Sequence, residues 1–124
     1  MPSQEPTLYW MRGGRRYAID RRAVARVLPC EEILPVDRWL MLATLEGLPA
    51  LVAEPNWIFQ ADRLADQQDR EASSVRYAPS MAVVIGMRGV LQCGFAADHA
   101  DFFGAGPVDH VVSAAQVSGF LDSL

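Results

Sequence analysis

Two groups of residues in this chain are of types that do chemistry. The stretch "DHADFFGAGPVDH" gathers Asp98, His99, Asp101, Asp109 and His110, and imidazole and carboxylate are both metal ligands. Cys93 stands just upstream in "LQCGF", where a thiolate nucleophile would take His99 or His110 as its base. The spacing serves neither chemistry well. Neighbouring Asp and His side chains point to opposite faces of a strand, and no two histidines have zinc-site spacing. The apolar neighbours of Cys93 favour the thiol over the thiolate. Ser118 in "QVSGF" lacks the first glycine of a nucleophile elbow. Glu31 and Glu32 are adjacent rather than facing each other across a cleft. The sequence therefore reads as having no catalytic residue, no metal and no cofactor. A small metal-dependent enzyme built on Cys93, Asp98, His99 and His110 is the less favoured alternative.

The second group is "MRGGRRYAID", in which Arg12, Arg15 and Arg16 surround Gly13-Gly14. A phosphate cradle needs backbone amides at a helix N-terminus, with longer glycine spacing and a following Lys-Ser/Thr. None of that is here. The net charge of -4 repels nucleic acid rather than collecting it. These arginines are expected in solvent around a tight turn, serving at most an acidic partner protein.

What positions these groups is a single domain. A chain of 124 residues that is 51% hydrophobic is long enough for one core and offsets its ordering entropy by burial. Residues 1–6 read as a flexible lead-in and 7–124 as the domain. Cys30 and Cys93 fit no Cys-x-x-Cys pattern and read as small buried hydrophobes. No run reaches the ~18 apolar residues of a membrane span and no leader pattern is seen, so the expectation is a cytoplasmic protein without membrane insertion.

The apolar pattern predicts mostly strands. "TLYWMRG" and "RRYAID" form a hairpin through Gly13-Gly14, and Asp20 caps a helical turn over Arg21, Arg22 and Ala23. Pro29 and Pro35 exclude a helix from "ARVLPCEEILPV" and confine its pairing to an edge or bulge. "WLMLATLEGLPALVAE" reads as two core strands joined at Glu46-Gly47. Residues 60–74 read as a solvated loop or helical excursion. "MAVVIGMRGVLQCGFAAD" gives a second hairpin around Met87-Arg88-Gly89, with Gly86 and Gly94 at a bulge or close approach. "DFFGAGPVDHVV" reads as a turn followed by a short strand. In the tail, Ser113 and Gln116 have capping-box spacing, and Val117, Phe120, Leu121 and Leu124 share one helical face.

The order of these pieces resembles the CheW-like family of bacterial chemotaxis coupling proteins. The resemblance is carried by "YAID", by "RRAVARVLP", by "ILPV" with "LEGLPALVAE", and by "VVIGMRGVLQCGFAAD" with Gly94 and Asp98 in place. It implies a mainly β fold of two small interlocked β barrels, the second trimmed, with short helices including a C-terminal one. It also implies a non-catalytic adaptor of a chemotaxis or pilus-motility pathway that binds a CheA-type histidine kinase, a chemoreceptor or both. The family's Leu-Arg-Gly is Leu45-Glu46-Gly47 here, and Thr44 replaces its Asn.

The partner-binding residues expected on this basis are Val36, Arg38, Trp39, Glu46 and Gly47, with Trp39 and Trp57 as exposed aromatic anchors or as core packing. A different class of reading is a structural oligomeriser, in which a trimmed barrel leaves a β edge that a second copy covers.

Overall fold

Gly13 and Gly14 adopt φ of 61° and 79°. Two consecutive residues at positive φ make the mirror-image two-residue turn whose twist matches that of a hairpin. In the computed structural model, which describes residues 7–37, 39–58, 78–102 and 106–123, this turn joins β1 (Thr7–Arg12) to β2 (Arg15–Asp20). Asp20 then accepts a hydrogen bond from Arg22 N at 2.9 Å and caps a 3-10 turn over Arg21–Ala23. The strands β3 (Arg26–Pro29) and β4 (Glu31–Pro35) follow, then β5 (Leu40–Leu45) and β6 (Leu48–Ala53), and a short helix, α1 (Pro55–Ile58). The hairpin β7 (Met81–Arg88) and β8 (Leu91–Ala97) is followed by β9 (His99–Asp101), β10 (His110–Val112) and α2 (Ala114–Ser123). Residues 1–6, 59–77, 103–105 and Leu124, and with them the expected lead-in and the 60–74 loop, lie outside the described residues. No helix among the described residues is long and apolar enough to cross a membrane.

The strands form two sheets, ordered β10-β2-β1-β9 and β3-β7-β8-β6-β5-β4. Two pairings are parallel, β10 with β2 and β6 with β8, and both join distant parts of the chain. Of the three proline-bearing strands, β3 and β4 are the two edges of the larger sheet, where a missing N–H interrupts least, and β6 carries Pro49 as its second residue, next to the turn. Yet only Cys30 separates β3 from β4 in sequence. Because one residue spans at most ~3.6 Å, the sheet must curl until its edges meet at that corner. Arg26 and Glu46 agree with this: their side chains approach to 3.9 Å, although β3 and β5 are four places apart and a flat sheet would separate them by ~19 Å.

The curl gives the larger sheet two buried faces. Met41, Ala43, Leu45, Ala50, Val52, Ala82, Val84 and Ala96 fill its inside, with Leu28, Cys30 and Ile33 at the margin. On the other face Val83, Cys93, Phe95 and Ala97 meet Leu8, Trp10, Tyr17 and Ile19 of the smaller sheet. Burial on both faces explains the nearly unbroken apolar runs of β6 to β8. Trp10 stacks on Tyr17 and Phe95, at 5.2 and 5.6 Å between ring centroids, and Phe95 meets Phe120 of α2 at 5.0 Å. Val117 and Phe120 thus fix the helix on the inter-sheet core, each burial contributing about 1.5–3 kcal/mol. The capping box forms as expected: Gln116 N donates to Ser113 Oγ at 3.2 Å, and Ser113 N to Gln116 Oε1 at 3.0 Å.

The capped turn supplies a pH marker. The Asp20 carboxyl is lowered from 3.8 to about 2, first by the hydrogen bond from the Arg22 side chain and then by that from the Arg22 amide. A carboxyl whose folded pKa is depressed stabilises the fold above its unfolded value, and that contribution fades as the pH falls from about 4 to about 2. In an NMR titration the Asp20 carboxyl is expected to turn over near pH 2. Arg22→Ala, which keeps the amide bond, is expected to move the midpoint part of the way back. An unchanged midpoint in that variant would show that the side-chain bond has no role.

Candidate functional site

Glu46 and Gly47 form the second two-residue turn, at φ of 51° and 79°, between Leu45 and its partner Leu48. Both φ values are positive, as the mirror-image turn requires, and Glu46 holds this conformation without a glycine's freedom. Both residues of the turn are exposed. Glu46 Oε1 lies 3.9 Å from Arg26 Nη1, with both side chains well in water, so this pair holds little energy and leaves the carboxylate available.

The neighbours of the turn are apolar. The parallel register of β6 and β8, in which Ala50 faces Gln92, places Leu48 beside Val90 when followed two residues back. Leu48 and Val90 are exposed, Val90 to 83%, and Met87 on the adjoining strand is exposed as well. One end of the larger sheet thus presents apolar side chains from two hairpin tips beside a solvent-exposed carboxylate. Gly89, at φ 62°, supplies the turn that lifts Val90 there.

The five residues expected to bind a partner do not form one patch. Val36 is exposed just beyond β4, and its amide donates to Leu40 O at 3.0 Å. Leu40 opens β5 and Leu45 closes it, so Val36 and Glu46 lie at opposite ends of that strand, about 17 Å apart along it. Trp39 is only 9% exposed, so it is not an exposed anchor, and core packing is the correct alternative. Its backbone is held as well: Trp39 N donates to Asp37 Oδ1 at 3.1 Å, and Trp39 O accepts from Glu54 N at 2.8 Å. Arg38 and the Trp57 side chain lie outside the described residues.

The cysteine-histidine alternative is not assembled. His99 and His110 occupy β9 and β10, the two outer strands of the smaller sheet, which three strand spacings hold ~14 Å apart. His110 Nε2 lies 3.3 Å from Gln116 Oε1, and exposed His99 lies 4.0 Å from Asp101 Oδ2. Cys93 is fully buried in the inter-sheet core, where burial pushes its thiol above the ordinary value against a smaller opposing effect of Arg88. Burial likewise pushes Cys30 up to about 11. Both remain thiols near neutral pH. Among the described residues no three His, Cys, Asp or Glu side chains are placed to share a metal ion.

The feature that sequence reasoning missed is an ion cluster around Arg12. Expected in solvent, Arg12 is 6% exposed. Its Nε and Nη2 donate to Glu54 Oε1 and Oε2 at 2.8 and 2.7 Å, and its Nη1 to Asp98 Oδ1 at 2.8 Å. Asp98 Oδ2 also accepts from Gly13 N at 3.0 Å. Burial by itself lowers the guanidinium pKa, but the hydrogen bonds and charges of Glu54 and then Asp98 outweigh it and raise the net value. The cluster joins the end of β1, the residue after β6 and the residue between β8 and β9. It locks the smaller sheet to the larger and offers no free group for catalysis. A charged residue closing the apolar run "LPALVAE" just before Pro55 was the available signal for Glu54.

In comparisons with known proteins, no family model and no curated protein matches this chain.

Proposed function

We propose that this chain is a non-catalytic adaptor similar to the CheW-like domains of bacterial chemotaxis or pilus-motility signalling. In this reading it works in the cytoplasm, docking a CheA-type histidine kinase, a chemoreceptor or both. The single observation that carries the reading is the projecting tip at Glu46-Gly47, bordered by exposed Leu48, Met87 and Val90. Apolar side chains in a cluster rimmed by charge mark a surface that another protein covers. The ordered motif pieces support it from the side of the sequence. "YAID" runs along β2, "RRAVARVLP" is the 3-10 turn with β3, "LEG" is the β5–β6 tip and "VVIGMRGVLQCGFAAD" is the β7–β8 hairpin.

The two sheets would be the counterparts of the two interlocked barrels. The curled six-stranded sheet stands for the fuller one. The four-stranded sheet, built from β1 and β2 with β9 and β10, stands for the trimmed one.

A binding titration of the chain against a CheA regulatory domain and a receptor tip from the same organism tests the reading. The wild type is expected to bind at least one at micromolar concentration. Glu46→Arg, at an exposed position that leaves the fold intact, is expected to change that affinity about tenfold or more, because charge reversal at an interface acts on both attraction and specificity. No binding to either partner by either protein overturns the signalling role.

A further inference from the structure

We propose that the outer edge of β4 is a docking site for an extended polypeptide segment, basic and apolar in alternation, that adds to the larger sheet as a further strand. This goes beyond the adaptor reading, because it concerns a different surface and does not depend on a chemotaxis partner.

The first ground is the ladder. β4 pairs with β5 on one side, and among the described residues no strand pairs with its other side. The curl brings β3 near at the Cys30 corner, where Cys30 N donates to Ser80 O at 3.0 Å, yet among the described residues the two edges share no pairing. An edge of this kind is a template for an added strand.

The second ground is the side chains along that edge. Ile33 turns inward against the core of the larger sheet. Leu34 and Val36 are 65% and 54% exposed, and Glu31, Glu32 and Asp37 are exposed around them. Residues 31–38 carry three acidic side chains and one basic. Among the described residues neither Glu31 nor Glu32 has an ion-pair partner.

Charge also chooses the occupant. A second copy would pair β4 with β4 antiparallel about a two-fold axis, setting Glu31 and Glu32 near Asp37 of the other chain, and like charges opposite one another destabilise a strand pair. A basic strand reverses that sign along the same edge, while its apolar residues cover Leu34 and Val36. The bulge between Glu31 and Leu34, with Glu32 at φ 45°, and the proline at 35 shorten the available ladder. Backbone pairing alone is therefore weak here, and charge with apolar contact must supply the selectivity.

The test uses the whole chain and three labelled heptapeptides: alternating arginine and valine, the same with glutamate for arginine, and the same with proline for valine. Anisotropy titrations are expected to show binding of the arginine-valine peptide alone, with slowed amide hydrogen exchange confined to β4. Glu31→Arg/Glu32→Arg is expected to weaken that binding about tenfold or more and to admit the glutamate peptide. Equal binding of the proline peptide would show general attraction of a cation to an acidic protein and overturn the proposal. So would an unchanged affinity in the double variant, protection elsewhere than β4, or light scattering showing that two copies cover this edge.

Discussion

Arg12→Met is expected to destabilise the fold by about 3–5 kcal/mol, the cost of breaking a buried ion pair by removing one partner. With single-domain stabilities of about 5–15 kcal/mol, that lowers the melting temperature by about 10–20 °C. The size follows from what the substitution leaves behind. Glu54, almost fully buried, loses both of its guanidinium hydrogen bonds, at 2.8 and 2.7 Å, and with them the positive charge of Arg12. Asp98 is better placed, since it is partly exposed and still accepts from Gly13 N. Glu54 is therefore the source of most of the loss. Arg12→Met combined with Glu54→Leu should recover much of it, because apolar groups of similar volume replace a buried pair at little cost. Urea unfolding of the wild type, both single variants and the double variant gives the coupling directly. A single variant within about 1 kcal/mol of the wild type would mean that water reaches the cluster.

Why this cluster escaped the sequence is a matter of range. Arg12 stands beside two glycines and two further arginines, a neighbourhood that reads as a solvated turn. Its partners are 42 and 86 residues away. Local features behaved differently: the Gly13-Gly14 and Glu46-Gly47 turns, the Asp20 cap, the Ser113–Gln116 box and the placing of Pro29 and Pro35 on edges all follow from neighbours within a few positions. The two core strands joined at Glu46-Gly47 and the β7–β8 hairpin were legible too, from their apolar runs, and burial on both faces is what keeps those runs nearly unbroken. β9 was not, since "HAD" has no strand pattern and gains its pairing from Tyr9 to Met11 across the sheet. Trp39 read either as an exposed anchor or as core packing, because its neighbours Asp37 and Arg38 are charged while the run that follows it is apolar. Its burial depends on how the chain turns from β4 into β5.

The same contrast governs the site. Glu46-Gly47 could be found because it is one turn. Its apolar neighbours Met87 and Val90 come from a different hairpin, and only the parallel pairing of β6 with β8 brings them alongside. That pairing also explains why Val36 belongs elsewhere: the strand that places Glu46 at one end of the sheet starts near Val36 at the other.

The second large effect is expected at Gly94. A Cβ built there would lie 2.3 Å from Val83 O and 2.9 Å from Val83 C, backbone atoms of the neighbouring strand β7. Gly94 pairs with Val84 just before the register shift between Val84 and Gly86, and on its other side β8 pairs with β6 through Val52. Neither neighbour can withdraw without breaking ladder hydrogen bonds at the middle of the larger sheet. Gly94→Ala is therefore expected to cost about 3 kcal/mol or more, the upper range of overpacking. Gly119→Ala is the control for the chemistry of the change. Gly119 sits inside α2 with no atom within 4 Å of an added Cβ, and alanine there should stabilise the protein by about 0.5–1 kcal/mol through helix propensity. Thermal unfolding of the two variants should thus move in opposite directions. If both fall together, the close approach of β7 to β8 is not what makes position 94 a glycine.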